Sequence, residues 1–275
     1  MILCFSGTGN SRYVAHELAK ILNEQVVELQ GESLISPSSF NCDMSKDKRF
    51  IWVFPIYSWG VPPVVVDFIK SAPLNIPTNN SHFMVCTCGD DIGNAHKHWR
   101  RLIKNRGWYA QSAYSVTMPN TYTLMKGFDV DSKELEQQKL TDAPSRIAEI
   151  ASKITSSNNS DDVICGNWAW IKTAIIYPYF KRYCMSPRPF HTTDKCISCG
   201  QCAKACPLNN ITMEQKRPQW SNHCALCLRC YHLCPTQAIA YGKATKGKGQ
   251  YNTLIHNSYC IIHNALCGIN SDKPR

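Results

Sequence analysis

At 275 residues, with 44% hydrophobic and 18% charged residues, the chain is long enough for two globular domains and has neither a disordered nor a fibrous composition. No apolar run reaches the roughly eighteen residues a spanning helix needs, so no integral membrane segment is expected. The formal charge of +10 is unevenly placed: residues 1–156 carry 16 Lys and Arg against 15 Asp and Glu, whereas residues 157–275 carry 14 against 5.

The chain opens on Met1-Ile-Leu-Cys-Phe-Ser, with no basic leader and no small-residue cleavage site, which predicts a first strand and, by default, a cytoplasmic location. Ser6-Gly7-Thr8-Gly9-Asn10-Ser11 follows at once. Val14, Ala15, Leu18, Ala19 and Leu22 then recur at helical spacing. A strand, a loop of small residues and a helix make an anion site: loop amides, hydroxyls and the positive helix end converge on one group. No Lys closes the loop as the nucleotide P-loop requires, and Arg12 stands where a dinucleotide G-x-G-x-x-G needs glycine.

Val26–Leu29 and Phe50–Phe54 predict the second and third strands. Phe83–Thr87 and Ser112–Thr117 predict the fourth and fifth, with a helix over Val64–Lys70 started by Pro62 and Pro63. His96 and His98 fall on a helix with Trp99, Leu102 and Ile103, where a solvated or structural role is expected. Ser132–Ser156 reads as one long helix capped by Ser132, which Pro144 is expected to kink or divide. The polar run Ser156–Asp162 is the expected boundary of a first domain, residues 1–156. Residues 157–189 form an aromatic-rich connection, in which Trp168–Tyr183 predicts a helix clamping two domains together. A membrane-surface helix is the alternative, though a clear basic face is missing.

Residues 190–241 hold the strongest signal. Cys196, Cys199, Cys202 and Cys206 are followed by Pro207; 28 positions on, Cys224, Cys227, Cys230 and Cys234 are followed by Pro235. This C-x2-C-x2-C-x3-C-P spacing is that of bacterial iron–sulfur sites, in which the fourth cysteine of each run ligates the other cluster. Two [4Fe–4S] clusters are therefore expected, one on Cys196, Cys199, Cys202 and Cys234, the other on Cys224, Cys227, Cys230 and Cys206. A pair of zinc sites is the alternative, but zinc ribbons draw two cysteines from each of two knuckles, and here four crowd each repeat. The other eight cysteines are scattered and expected to be reduced, which with oxygen-sensitive clusters fits an anaerobic host.

Each oxidised cluster with four thiolates adds about −2, which brings the basic half to about +5. No groove-reading motif accompanies the excess, so no nucleic acid is expected. A surface for an acidic redox partner protein is the preferred reading. Residues 242–275 form a small-residue, basic tail, within which Leu254–Ile269 is expected to pack back on the body.

The loop Ser6-Gly-Thr-Gly-Asn-Ser11 resembles the [ST]-x-[ST]-G-N-[ST] loop of flavodoxins, and with the cysteine runs the chain resembles bacterial flavodoxin–ferredoxin fusion proteins. The resemblance covers about residues 1–156 and 190–241. It implies a doubly wound α/β flavodoxin-like domain followed by a small α+β ferredoxin-like domain. It also implies FMN, with its phosphate on Ser6–Ser11 and its ring between two loops: Tyr57, Ser58, Trp59 and Gly60 on one side, Thr87, Cys88, Gly89 and Asp90 on the other. Met118–Tyr122 resembles a segment of the same fusions, without an assigned role. Cys88 lacks an ordered His and acid partner, so no catalytic residue is assigned. Electron transfer between FMN, the clusters and an external partner is the expected function. The alternatives are a flavin-dependent reductase of a quinone or nitro compound, and a cluster-only protein whose flavodoxin-like domain serves as a docking module.

Overall fold

A computed structural model describes residues 1–45, 47–156 and 159–251. The expected packing of Leu254–Ile269, and most of the tail, lie outside the described residues. Five parallel strands form the main sheet: β1 (Ile2–Cys4), β2 (Val26–Glu28), β3 (Arg49–Pro55), β4 (Ser81–Cys88) and β5 (Tyr109–Thr117). Their order is β2-β1-β3-β4-β5, the flavodoxin-like doubly wound order. The interleaved helices are α1 (Asn10–Leu22), α2 (Glu32–Ile35), α3 (Pro63–Ser71), α4 (Ala95–Asn105) and α5 (Lys133–Thr155).

Successive strand residues point to opposite faces, and the apolar runs supply both. Phe50, Trp52 and Phe54 of β3 face a core built with Val65, Phe68 and Ile69 of α3 and Trp99 and Ile103 of α4. Ile51 and Val53 face the other core, with Val14 and Leu18 of α1 and Ile147 and Ile150 of α5. The Ser132 hydroxyl accepts from the Leu135 amide and caps α5 as expected. Pro144 lies inside α5 without dividing it. Proline removes one ladder bond, and the buried Ala143 and Ile147 on either side pack into the core beside α1.

Beyond α5 the chain returns to the sheet edge, where Asp162 bridges Tyr114 in parallel. The aromatic segment is helical: α6 (Ala169–Ile171) and α7 (Tyr177–Tyr179) alternate with π-turns over Lys172–Ile176 and Phe180–Cys184. It does clamp. Lys172 pairs with Asp91 at 2.5 Å, the Thr173 hydroxyl donates to the Trp59 carbonyl at 2.8 Å, and the Tyr177 hydroxyl donates to the Val61 carbonyl at 2.6 Å. Phe180, one turn on, enters the core of the cysteine-rich unit.

That unit contains β6 (Phe190–Thr192), α8 (Gln201–Ala205), β7 (Ile211–Glu214), β8 (Arg217–Trp220), α9 (Arg229–Leu233) and β9 (Ile239–Tyr241). β6 pairs antiparallel with β9, and β7 with β8. Its core of Phe190, Ile211, Leu226, Tyr231 and Ile239 also takes in Leu124 from the flavodoxin-like domain. The two units are joined closely: the Gly31 amide donates to the Pro207 carbonyl at 2.7 Å, and Leu208 and Ala225 are buried in the core on one sheet face.

Candidate functional site

A cavity of about 410 Å³ opens beyond the carboxyl ends of β1, β3 and β4, where ligands bind in doubly wound sheets. The first loop supplies Ser6, Gly7, Thr8, Asn10 and Ser11. The loop is preorganised: the Ser6 hydroxyl accepts from the Gly9 amide at 3.2 Å, and Ser11 Oγ meets Thr87 Oγ1 at 2.8 Å. Gly9 caps α1 at φ 111°, a left-handed conformation that favours glycine, and no side chain caps the helix. The first amides of α1 are thus left for an anion, which is what the phosphate of FMN would require.

The second loop brings Tyr57, Ser58 and Trp59, and the third Thr87, Cys88, Gly89 and Asp90. Ser58 and Trp59 turn through φ 45° and 61°, closing a reverse turn in which Tyr57 and Gly60 exchange backbone hydrogen bonds at 3.0 Å. Gly60 supports the cavity from behind, as Gly9 does: a Cβ on it would stand 2.3 Å from the Tyr177 ring. Burial, then Asp91 and Asp90, push the Cys88 thiol up to about 12. It stays protonated and is no nucleophile. The polar end at Ser6–Ser11 and the aromatic end at Tyr57 and Trp59 fit an amphiphilic ligand such as FMN.

Sequence reasoning missed the rest of the wall. Met118–Tyr122 completes one side, and Ile176, Tyr179, Phe180 and Cys184 of the clamp form the outer one. The Asn10 amide nitrogen donates to the Pro119 carbonyl at 2.9 Å, and its oxygen accepts from the Tyr251 hydroxyl at 2.9 Å. His232 of α9 continues this chain: Nε2 lies 2.8 Å from the Thr121 carbonyl, to which it donates, while Nδ1 accepts from the Tyr251 amide at 3.0 Å. Burial lowers His232 to about 4, so the ring is neutral. Asn10 in a small-residue loop was the only hint of these contacts in the sequence.

The fourth wall comes from the cysteine-rich unit, with Leu226, Cys227 and Leu228 facing the same cavity. The eight cysteines line two separate small cavities. Cys196, Cys199, Cys202 and Cys234 line one small cavity, and Cys206, Cys224, Cys227 and Cys230 line another. The two repeats match in backbone: Ser198 and Leu226 have φ 58° and 53°, Gly200 and Leu228 have 73° and 60°, and Asn209 and Gln237 have 49° and 53°. Left-handed residues alternating with ordinary ones turn successive amides inward, a nest for anionic sulfur. Accordingly, the Asn210 amide donates to Cys206 Sγ at 3.3 Å, and the Ala238 amide to Cys234 Sγ at 3.2 Å. Among the described residues no three His, Cys, Asp or Glu side chains converge on a point that would hold a single metal ion. A tetrahedral zinc would need four sulfurs about 2.3 Å from one centre. Thiols set around a cavity, with amides donating to Cys206 and Cys234, fit an iron–sulfur cluster.

Among known families, the 4Fe-4S binding domain matches residues 189–212. No curated protein matches the chain. Similar solved structures include a flavodoxin of Streptococcus pneumoniae TIGR4, at 16% identity over 56% of this chain and 96% of that one, TM-score 0.36. An FMN-dependent NADH-azoreductase of Bacillus anthracis, in complex with FMN, is 10% identical over 56% and 98%, TM-score 0.33. An NAD(P)H:quinone oxidoreductase of Methanothermobacter marburgensis is 10% identical over 54% and 94%, TM-score 0.34. Likenesses at these scores add no weight of their own; strand order and the matched family carry the assignment. The chain joins an α/β domain of flavodoxin-like strand order to a unit that carries a 4Fe-4S binding domain.

Proposed function

We propose that the chain carries electrons between an external partner and FMN through two [4Fe–4S] clusters held by the crossed cysteine sets. The observation that supports this best is the shared wall: Cys227 and Leu228 line both the large cavity and the second thiol cavity. A flavin in the one and a cluster in the other would be neighbours across this wall. Clusters exchange one electron at a time and flavin one or two, so the pair supplies a step between two-electron and one-electron chemistry. The chain's own residues would orient the flavin through Ser6–Ser11, exclude water through the clamp, and present sulfur-directed amides.

The first thiol set lies toward solvent. Cys199 is exposed, and the neighbouring Ile197 is 63% exposed. Lys195 and Lys204, close to it in sequence, are exposed, as is Asp194. An apolar spot beside an exposed thiol, in the half of the chain that carries the basic excess, suits an acidic one-electron carrier.

One observation favours a second reading, direct reduction of a small apolar acceptor such as a quinone. The cavity's lining includes Met125, Phe128 and Tyr179, which are 47%, 39% and 61% exposed. Anaerobic purification with flavin and iron assays tests the main reading, which expects one FMN and about eight irons per chain. Iron without a flavin site would sink it. Steady quinone turnover with no protein carrier present would select the second reading.

A further inference from the structure

Several buried side-chain donors lack a partner among the described residues, two of them the Tyr57 hydroxyl and Trp220 Nε1. A buried donor left unbonded is costly, so an acceptor is expected at each. Both lie against the same thiol set. Tyr57 follows β3, with its ring edge-on to Phe5 at 6.4 Å, and packs into both the sheet core and the cysteine-rich core. Tyr57 lines the flavin cavity together with Cys227 and packs with Cys224 against the cysteine-rich core. Its phenol O–H is a donor suited to sulfur. Trp220 ends β8, stacked on Phe190 at 5.4 Å, and shares a cavity wall with Cys230. The lining of the first thiol set holds no such unpartnered donor among the described residues. Side-chain contact with sulfur there is the Thr236 hydroxyl, 3.8 Å from Cys234 Sγ.

We propose that the Tyr57 hydroxyl and the Trp220 N–H donate to the sulfurs of the cluster held by Cys206, Cys224, Cys227 and Cys230, and so raise its reduction potential selectively. The proposal rests on the two-cluster reading above. Reduction adds one electron to the cluster and spreads the charge over its sulfurs. Donors aimed at sulfur therefore stabilise the reduced form more than the oxidised one. Burial works the other way, since a dry site disfavours added charge. The two donors thus keep the buried cluster, which adjoins the flavin cavity, from becoming too hard to reduce. Tyr57 has a positioning role toward this cluster besides lining the flavin cavity.

The test is a redox titration of the loaded protein followed by electron paramagnetic resonance, in Tyr57→Phe and Trp220→Phe. Both variants keep the ring and remove the donor. At fixed potential the ratio of oxidised to reduced should rise roughly tenfold for one cluster, equal to 59 mV for one electron. The other cluster should be unmoved and iron content unchanged. Wild-type potentials in both variants, or equal shifts in both clusters, would overturn the proposal. Trp220 does not line the flavin cavity, so its variant decides even where Tyr57→Phe loses FMN. A wild-type protein with about four irons per chain would instead overturn the two-cluster reading, and the proposal with it.

Discussion

Gly7→Ala tests the junction of the two domains with a single methyl group. The backbone at Gly7 is not in the left-handed region, so an alanine there meets no conformational penalty of its own. Its Cβ, however, would stand 2.8 Å from Cys227 Cβ, 3.0 Å from the Cys227 carbonyl and 3.5 Å from its Cα. Carbon atoms rest at about 3.5–4.0 Å, so the loop and the cysteine must part by roughly 0.7 Å or more. Neither neighbour can rotate away, because one is backbone and the other is fixed by it. Overpacking of this kind costs about 1–3 kcal/mol. Taken from FMN binding, this is a loss of roughly 5- to 150-fold in affinity. Titration of FMN into deflavinated protein, followed by flavin fluorescence, reads it directly. Gly89→Ala is the comparison: its Cβ would meet the Asn120 side chain at 3.3 Å, a contact a side chain can relieve, so a smaller loss is expected. Affinity within twofold of wild type for Gly7→Ala, with an unaltered cluster spectrum, would refute the packing of the two loops against each other.

Two further outcomes follow from the same geometry. Cys206→Ser should damage the cluster of the second repeat although Cys206 belongs to the first, because Cys206 lines the cavity with Cys224, Cys227 and Cys230. Iron analysis and electron paramagnetic resonance check this, and loss of the first-repeat cluster alone would contradict the crossed pattern. Arg12→Met should destabilise the protein by about 1 kcal/mol at pH 7, since Arg12 grips Glu28 at 2.8 and 2.6 Å. Burial alone would raise Glu28, but hydrogen bonds from His16 and Arg12 hold it at about 2. The folded value lies below the unfolded one, so this contribution is complete above about pH 4.5 and is lost as pH falls toward 2. Urea unfolding at pH 7, 5 and 3 should show the gap between wild type and variant closing at the lowest pH; a constant gap would refute it.

The sequence by itself determined the elements and the chemistry of their ends. Apolar runs long enough for both faces of a sheet specified parallel strands, and residue type at fixed spacing specified the cysteine sets and the anion loop. Such features are local: a loop of serines and glycines before a helix, or three thiols three residues apart, needs no distant partner to be recognised. Of the kink or division expected at Pro144, the division did not occur, since residues on both sides of the proline pack into the core. Only the tertiary structure decided what stands between the two cofactor sites. The clamp, Met118–Tyr122, the His232–Tyr251–Asn10 chain and the approach of Cys227 to Gly7 are contacts between segments far apart in sequence. Each rests on shape or on hydrogen bonds between distant segments, properties with no periodicity to betray them. The division of the eight thiols into one set that includes the exposed Cys199 and one that adjoins the large cavity belongs to the same class. Two repeats of equal spacing differ only in which of them the flavodoxin-like domain covers.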